Sequence, residues 1–431
     1  MGNYKIKPSK LKGEVKIPPS KSMAHRAVIC ASLSNGRSII NNIDFSDDIV
    51  ATIEGMQAFG AKINKKHKCV EIEGIFSENN LVKMKENREI DCNESGSTLR
   101  FLVPIGNLFE GENHFIGRGN LGKRPLDIFY EIFDKQNIEY TYKEKELDLR
   151  VKGKLKPDIF NIRGDVSSQF ITGLMFILPL LDGDSKINIT TELQSKGYID
   201  LTIDVMKDFG VEIINNNYKE FIIKGNQNYI EREYKVEGDY SQGAFFLCAD
   251  AIGNEVISLD LKENSLQGDM ETIDILKRMG TKFKRVHSAI GGKAKDLTGT
   301  VIDAKGCPDV IPILSVVACL SKGKTEIINA ERLRIKECDR LKAIKEELSK
   351  LGGIIEEREN GLIIEGIEEF NGGVEVWSHK DHRIAMMLAI ASTRCKNTIV
   401  LKDYECVSKS YPHFFEDFKS LGGIIDEWNM G

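Results

Sequence analysis

No stretch of this sequence is apolar for long enough to cross a bilayer. The longest apolar runs, residues 170–181 and 310–320, each carry a proline and fall short of the roughly twenty residues that a membrane helix needs. The opening Met1-Gly2-Asn3-Tyr4-Lys5 lacks the apolar run of a secretory signal. Residue 6 is isoleucine, so no Ser or Thr completes a myristoylation signal. Cys-x-x-Cys is absent; nine cysteines are scattered along the chain. An odd, unclustered set reads as reduced thiols, most of them small core residues, in a cytoplasmic protein. Strong charge of one sign is absent too. A formal net charge of −5 argues against a general nucleic-acid coat but permits a local basic pocket for a small acidic molecule. No G-x-x-x-x-G-K-[ST] and no G-x-S-x-G occurs, which removes support for a P-loop kinase and for a nucleophile elbow. Residues 117–122 fit G-x-G-x-x-G. Yet the next helix is expected only from Pro125, and no acidic residue closes a strand at the right distance, so a dinucleotide site is not supported.

What is present is the balance of a globular protein, 41% hydrophobic and 29% charged residues. The 431 residues exceed one ordinary core, so two domains or a repeated architecture are expected. A repeat is visible. An amphipathic helix, a small residue and a strand recur around Gly60, Gly210, Gly280, Gly352 and Gly422, with Asn137 in a degenerate copy, at intervals of 70–77 residues. Glycine and asparagine tolerate the left-handed conformation that closes a helix. A charged strand, a polar turn and a second strand ending in glycine follow in residues 61–74, 138–153, 211–225 and 353–366, which predicts a hairpin after each helix. The fourth unit is expected to be longer, with Gly291-Gly292 inside. The sixth is cut short after Gly422, whereas the strand-like residues 4–17 have no helix of their own. The N-terminal strands are therefore expected to complete the C-terminal half. This predicts two lobes of three units, one from residues 1–18 with 230–431 and one from 19–229, with hinge crossings near 16–20 and 229–241. Unrelated α+β domains with coincidental spacing remain the alternative.

The polar clusters gather where helices begin. Pro18-Pro19-Ser20-Lys21-Ser22, Glu94-Ser95-Gly96-Ser97-Thr98, Gly122-Lys123-Arg124 before Pro125, Ser167-Ser168-Gln169 and Ser195-Lys196-Gly197-Tyr198 do so in the first half. Pro308-Asp309, Lys336-Glu337, Asp381-His382-Arg383 and Ser408-Lys409 do so in the second. A helix start offers free N–H groups and about half a positive charge, an anion site. Lys21, Arg26, Lys123, Arg124, Lys336, Arg340, Arg383 and Lys409 would strengthen it. Because cations at helix starts oppose the dipole, their number argues for an anionic ligand that compensates them. Ser167, Ser168 and Ser195 can equally be caps, Tyr198 a core-edge residue, and Glu337 with Arg340 a surface pair at helical spacing. His379-x-x-His382 is a weak metal signal; no metal is expected.

In order along the whole chain, Pro19-Ser20-Lys21-Ser22-x-x-x-Arg26, Asp47-Asp48, Gly96-Ser97, Arg124-Pro125, Ser167-Ser168-Gln169, Ser195-Lys196-Gly197-Tyr198-Ile199-Asp200, Pro308-Asp309, Arg334-Ile335-Lys336-Glu337-Cys338-Asp339-Arg340, Asp381-His382-Arg383-Ile384-Ala385-Met386 and Lys409-Ser410-Tyr411-Pro412 resemble the motifs of the EPSP synthase family. That resemblance implies an α/β fold, a two-lobed inside-out α/β barrel of six βαβαββ-type repeats, three per lobe, closing over a cleft. It implies transfer of the enolpyruvyl group of phosphoenolpyruvate to the 5-hydroxyl of shikimate 3-phosphate with release of phosphate, on the pathway to chorismate and aromatic amino acids. It implies no cofactor. It places the shikimate 3-phosphate against Lys21, Ser22, Arg26, Ser167, Ser168, Gln169, Ser195, Tyr198, Asp309 and Lys336. It places phosphoenolpyruvate against Lys21, Gly96, Arg124, Gln169, Arg340, Arg383 and Lys409. Among these, forked guanidinium groups suit carboxylate and phosphate oxygens.

Asp309 is the candidate base for the attacking hydroxyl. Glu337 is the candidate acid for the methylene carbon, with Lys21 assisting, and such a glutamate needs a raised pKa or rapid proton exchange. The sequence departs from the family at Glu94, Arg332 and Phe101. The rival readings are a UDP-N-acetylglucosamine enolpyruvyl transferase, whose mobile-loop cysteine has no counterpart in residues 115–125, and a non-catalytic repeat protein that binds phosphorylated metabolites. A monomer acting on two small molecules, without nucleic acid or membrane, is expected.

Overall fold

The residues that mark the repeat close their helices in the left-handed region: Gly60, Gly210, Gly280, Gly352 and Gly422 at φ +84° to +107°, Asn137 at +56°. The structure is a computed structural model that describes residues 2–80, 86–143 and 145–428. Its described strands form six four-stranded sheets with one connectivity. The third repeat shows it: strand Ile159–Ile162, helix Ser168–Ile177, strand Ser185–Ile189, helix Lys196–Asp208, then the strands Ile213–Asn216 and Glu220–Ile223. The first two strands pair in parallel, and the hairpin joins them antiparallel.

Three sheets borrow a strand from elsewhere in the chain. Asn3–Lys7 lies antiparallel between Ile399–Lys402 and Ile424–Trp428, taking the place of the hairpin strand that the sixth repeat lacks. Lys12–Lys16 pairs in parallel with Glu255–Leu259 and opens the fourth repeat. Glu233–Lys235 pairs in parallel with Arg37–Asn41 and opens the first. The chain divides into two compact units, Met1–Pro18 with Glu237–Gly431, and Pro19–Val236. The expected break at 229/230 is therefore corrected to 236/237, because the strand after it is still bonded into the first repeat.

The fourth hairpin is not longer than the others. Lys282–Val286 and Ala289–Lys293 meet through a two-residue turn, as Lys62–Lys66 and Cys69–Glu73 do. Gly291-Gly292 has another cause. The buried Asp250 carboxylate enters the sheet and accepts the N–H groups of Val256 (3.2 Å) and Gly292 (2.6 Å). Only Ser258 and Ile290 remain paired between those two strands, and a side chain at 291 would crowd the carboxylate.

The helix between the two parallel strands of each repeat is the core element. Tyr240–Ala251, Ile311–Cys319 and His382–Ser392 are buried at every residue. In Lys21–Ser32, Gly96–Gly106 and Ser168–Ile177 the exceptions are Lys21, Ser22, Ser97 and Gln169, all in the first turn. A helix apolar on all sides must be enclosed, so the strands lie outside it and alternate buried and exposed residues. Each unit has its own hydrophobic core, and the two cores share no residue. The free cysteines are mostly core residues: Cys30, Cys92, Cys248, Cys307, Cys319 and Cys395 are buried. No described helix is long and apolar enough to cross a membrane.

Candidate active site

The candidate residues fall into two groups, one per unit. In the unit Pro19–Val236, Ser20 caps the helix Lys21–Ser32 by accepting the Met23 N–H. The first residue of that helix, Lys21, pairs with Asp48 Oδ2 at 2.8 Å. One turn on, Arg26 lies 3% exposed. Its Nε donates to Thr202 Oγ1 at 2.8 Å, and its terminal nitrogens donate to the carbonyls of Ser22 (2.7 Å) and Tyr198 (3.1 Å). Its guanidinium stands 5.4 Å from the centre of the Phe101 ring. Burial pulls its pKa down to about 10. Phe101, a departure from the family pattern, is thus the apolar backing of this arginine.

A second cluster surrounds Gly96. A Cβ there would collide with the Arg124 guanidinium and lie 3.5 Å from Arg100 Nη1. Arg100 donates to Gln169 Oε1 (2.9 Å) and to the Pro125 carbonyl (3.2 Å), while Gln169 Nε2 donates to Ser97 Oγ (2.8 Å). The starts of two core helices and the Arg124 turn are thereby tied together. That turn corrects one expectation. The helix begins at Asp127, not at Pro125, after a short 3-10 turn Leu121–Lys123. Lys123 is on its own there, donating to Asn120 at 3.1 Å, and Glu94 lies against Gly119.

Ser167 and Ser195 differ although both precede helices. Ser167 caps, accepting the Gln169 N–H. Ser195 sits at φ +55° and its side chain makes no cap hydrogen bond. A non-glycine residue in that region is strained, and strain of this kind collects at functional sites.

The other group is built around Asp309, in the 3-10 turn Pro308–Val310 that leads into helix Ile311–Cys319. Its Oδ1 accepts from Arg340 Nη1 (2.9 Å) and Lys336 Nζ (3.3 Å), and its Oδ2 from Arg383 Nη2 (3.3 Å). Arg340 is 1% exposed. It also donates to Glu337 Oε2 (2.8 Å) and, through Nε, to Asp381 Oδ2 (2.8 Å). Lys409 Nζ stands 3.8 Å from Glu337 Oε1. Asp381 caps the helix His382–Ser392 through the Arg383 backbone N–H, so one buried carboxylate holds both the Arg340 side chain and the backbone that carries Arg383. Burial works to raise the Asp309 pKa, but Arg383, Lys336 and Arg340 together outweigh it and hold the carboxyl well below its usual range. Burial lowers Lys336, partly offset by Asp309.

Two expectations change here. Lys336 and Glu337 precede the helix, which starts at Arg340 behind the cap Asp339, so Glu337–Arg340 joins a half-buried carboxylate to a buried arginine and is not a surface pair along a helix. Lys409 ends a 3-10 turn, Tyr404–Lys409, ahead of helix Phe414–Ser420. The protein also supplies carboxylates to most of the cations expected to await an anion. His379 meets Glu346 and Glu347 within 4.8 Å, without His382. Glu347 there already accepts from Lys350, the Trp377 N–H and His379.

The sequence reading missed Arg100, Asp381, Thr202 and Asp269 as site residues. Arg100 follows Gly96 by four residues and so shares its helix face, and Asp381 stands inside a quoted motif. Nothing local marks Thr202 or Asp269.

Solved structures with this architecture are the EPSP synthase from Acinetobacter baumannii (TM-score 0.83, 23% identity, 100% of both chains) and the enolpyruvyl transferase NikO from Streptomyces tendae (TM-score 0.80, 14% identity, 100% of this chain and 99% of that one). The fold is that of the enolpyruvyl transferases. The family model for EPSP synthase (3-phosphoshikimate 1-carboxyvinyltransferase) matches residues 6–418. Proteins named 3-phosphoshikimate 1-carboxyvinyltransferase from Clostridioides difficile (strain 630) and Clostridium beijerinckii are 69% and 66% identical to this chain, over the full length of both partners. The chain belongs to the EPSP synthase family.

Proposed function

We propose that the chain transfers the enolpyruvyl group of phosphoenolpyruvate to the 5-hydroxyl of shikimate 3-phosphate, on the route to chorismate and aromatic amino acids. It works as a cytoplasmic monomer on two small anions. The observation that carries the mechanism is the shared cation set. Arg340, Arg383, Lys336 and Lys409 are held by Asp309 and Glu337, the two carboxylates assigned to proton transfer.

The hydroxyl oxygen adds to C2 of phosphoenolpyruvate and loses its proton to Asp309. The methylene carbon gains a proton from Glu337, with Lys21 assisting. This gives a tetrahedral intermediate not bonded to the protein. The Glu337 carboxylate takes a proton back from the new methyl group, phosphate departs with the proton that Asp309 had accepted, and the double bond is restored. Arg124, Arg340, Arg383, Lys409, Lys21, Gly96 and Gln169 hold phosphoenolpyruvate. Lys21, Ser22, Arg26, Ser167, Ser168, Gln169, Ser195, Tyr198, Asp309 and Lys336 hold shikimate 3-phosphate, its phosphate at Ser167, Ser168, Ser195 and Lys336, its carboxylate at Arg26 and its ring between Ser22, Gln169 and Tyr198.

Substrate anions exchange places with the protein's own carboxylates. As Arg340, Arg383 and Lys409 turn to the incoming carboxylate and phosphate, they release Asp309 and Glu337. Asp309 then gains proton affinity, because the positive charge that favoured its ionised form is neutralised. Once turned, these cations stabilise the charge that develops in the transition state. Inorganic phosphate appearing only when both substrates are present supports this reading. Binding of both substrates without phosphate release overturns it in favour of a binding protein.

A further inference from the structure

We propose that Asp269 is a positioning residue for the transfer reaction: its buried carboxylate, fixed by Ser241 in a turn packed against the one that carries Asp309, sets the proton affinity of Asp309. The role rests on the reading of Asp309 as base.

Asp269 lies in the 3-10 turn Gly268–Met270, packed against the Pro308–Val310 turn that carries Asp309. It is 3% exposed. Ser241 Oγ donates to its Oδ2 at 2.6 Å. The charged and titratable groups around it are Asp309 from the adjoining turn, Arg383 from helix His382–Ser392, Ser241 from helix Tyr240–Ala251 with Asp239 at its cap, and the Cys307 thiol, which Glu271 and Arg278 of the packed helix Glu271–Arg278 also approach.

A buried carboxylate set near another costs stability, so its placement calls for a reason. Burial first, then repulsion from Asp309, push Asp269 up to about 6, while the cations hold Asp309 well below the usual range. One site thus drives two carboxylates apart, the pattern by which acid–base roles are divided. Above about 6 Asp269 is an anion, and its field makes Asp309 a stronger acceptor for the hydroxyl proton. Below that value it is neutral and the assistance ends. Asp269 itself neither gains nor loses a proton during the step.

The test is Asp269→Asn in the full chain, with phosphate release followed from about pH 5 to about pH 9. At about pH 8, kcat should fall about tenfold with both KM values within about twofold. The deficit should vanish as the pH drops below about 6, where wild type and variant carry the same charge. The folded value lies above the unfolded one, so the stability that Asp269 contributes is present below about pH 4 and is lost as the pH rises through about 6. Asn removes that loss, and the unfolding midpoint at about pH 8 should be equal or higher. Ser241→Ala, which removes a bond favouring the anion, should move the acidic fall of kcat towards higher pH. A deficit independent of pH, an unchanged kcat, or a loss that tracks a lowered midpoint overturns the proposal. Wild-type protein that releases no phosphate overturns the transfer reading itself.

Discussion

At the scale of single residues, the site is a set of charges already paired within the protein. Each substitution therefore removes a function and leaves a partner behind. Lys21→Ala should lose turnover about a hundredfold, and it should also destabilise the fold, because it removes the ammonium 2.8 Å from the Asp48 carboxylate, whose side chain is 7% exposed. The double variant Lys21→Ala with Asp48→Asn should recover the unfolding midpoint but not the turnover; recovery of both would remove Lys21 from the chemistry. Glu337→Gln keeps the shape and one acceptor for Arg340. It should cut kcat by about a hundredfold or more, and unchanged turnover would end its role as acid. Gly96→Ala brings a methyl group against the Arg124 guanidinium. The expected result is a rise of about tenfold in KM for phosphoenolpyruvate, from an overpacking cost of about 1–3 kcal/mol, with a smaller change for the other substrate. The folded-state pKa of Asp309 lies below its unfolded one, so its contribution to stability is present above about pH 4 and is lost as the pH falls further. Thermal midpoints measured down an acid series should show that loss.

At the scale of elements, the repeat is a mechanical unit that the sequence announces at its helix ends. The closing residue must be left-handed, which restricts it to glycine or asparagine. Gly422 isolates this requirement, because a Cβ there would meet only the Lys10 carbonyl at ordinary contact distance. Gly422→Ala should therefore cost about 1–2 kcal/mol through backbone strain alone, read as a lower midpoint in denaturant; no change would mean that the helix end can rearrange. The helix starts were legible for the same reason as the ends. Ser20, Ser95, Ser167 and Asp381, each in a polar cluster placed at a helix start, cap their helices. The start at Asp127 was not legible, because the 3-10 turn before it takes up the residues that look like a cap and a first-turn proline. Gly291-Gly292 misled in a similar way. The demand on Gly291 comes from Asp250, about forty residues earlier in the chain, whereas at Gly292 a Cβ would strike the Phe283 ring across the hairpin.

At the scale of the whole molecule, the chain closes each unit by lending strands over long sequence distances. Asn3–Lys7 is an inner strand of its sheet, bonded on both sides. Removing residues 3–7 should unpair Ile424–Trp428 and lower the stability of the unit Met1–Pro18 with Glu237–Gly431, while Pro19–Val236 keeps its own core. Hydrogen exchange resolved along the chain should show early opening in the first unit only; equal loss of protection in both would mean that the units do not fold independently. Activity should disappear in either case, since the Asp309 group belongs to the shortened unit.

The sequence by itself determined the repeat, its length, the capped starts of the core helices, the shortfall of the last unit and the order of the family motifs. All of these depend on local rules, namely which residues close or cap a helix and which alternate along a strand. Tertiary structure decided the rest. It put Asp309, Glu337 and Asp381 around one arginine, Arg100 beside Gly96, the Asp269 turn against the Asp309 turn and the strand Glu233–Lys235 back into the first repeat. Those are meetings of residues far apart in the chain, and their energies come from burial and from charges a few ångströms apart. No local pattern encodes such a distance.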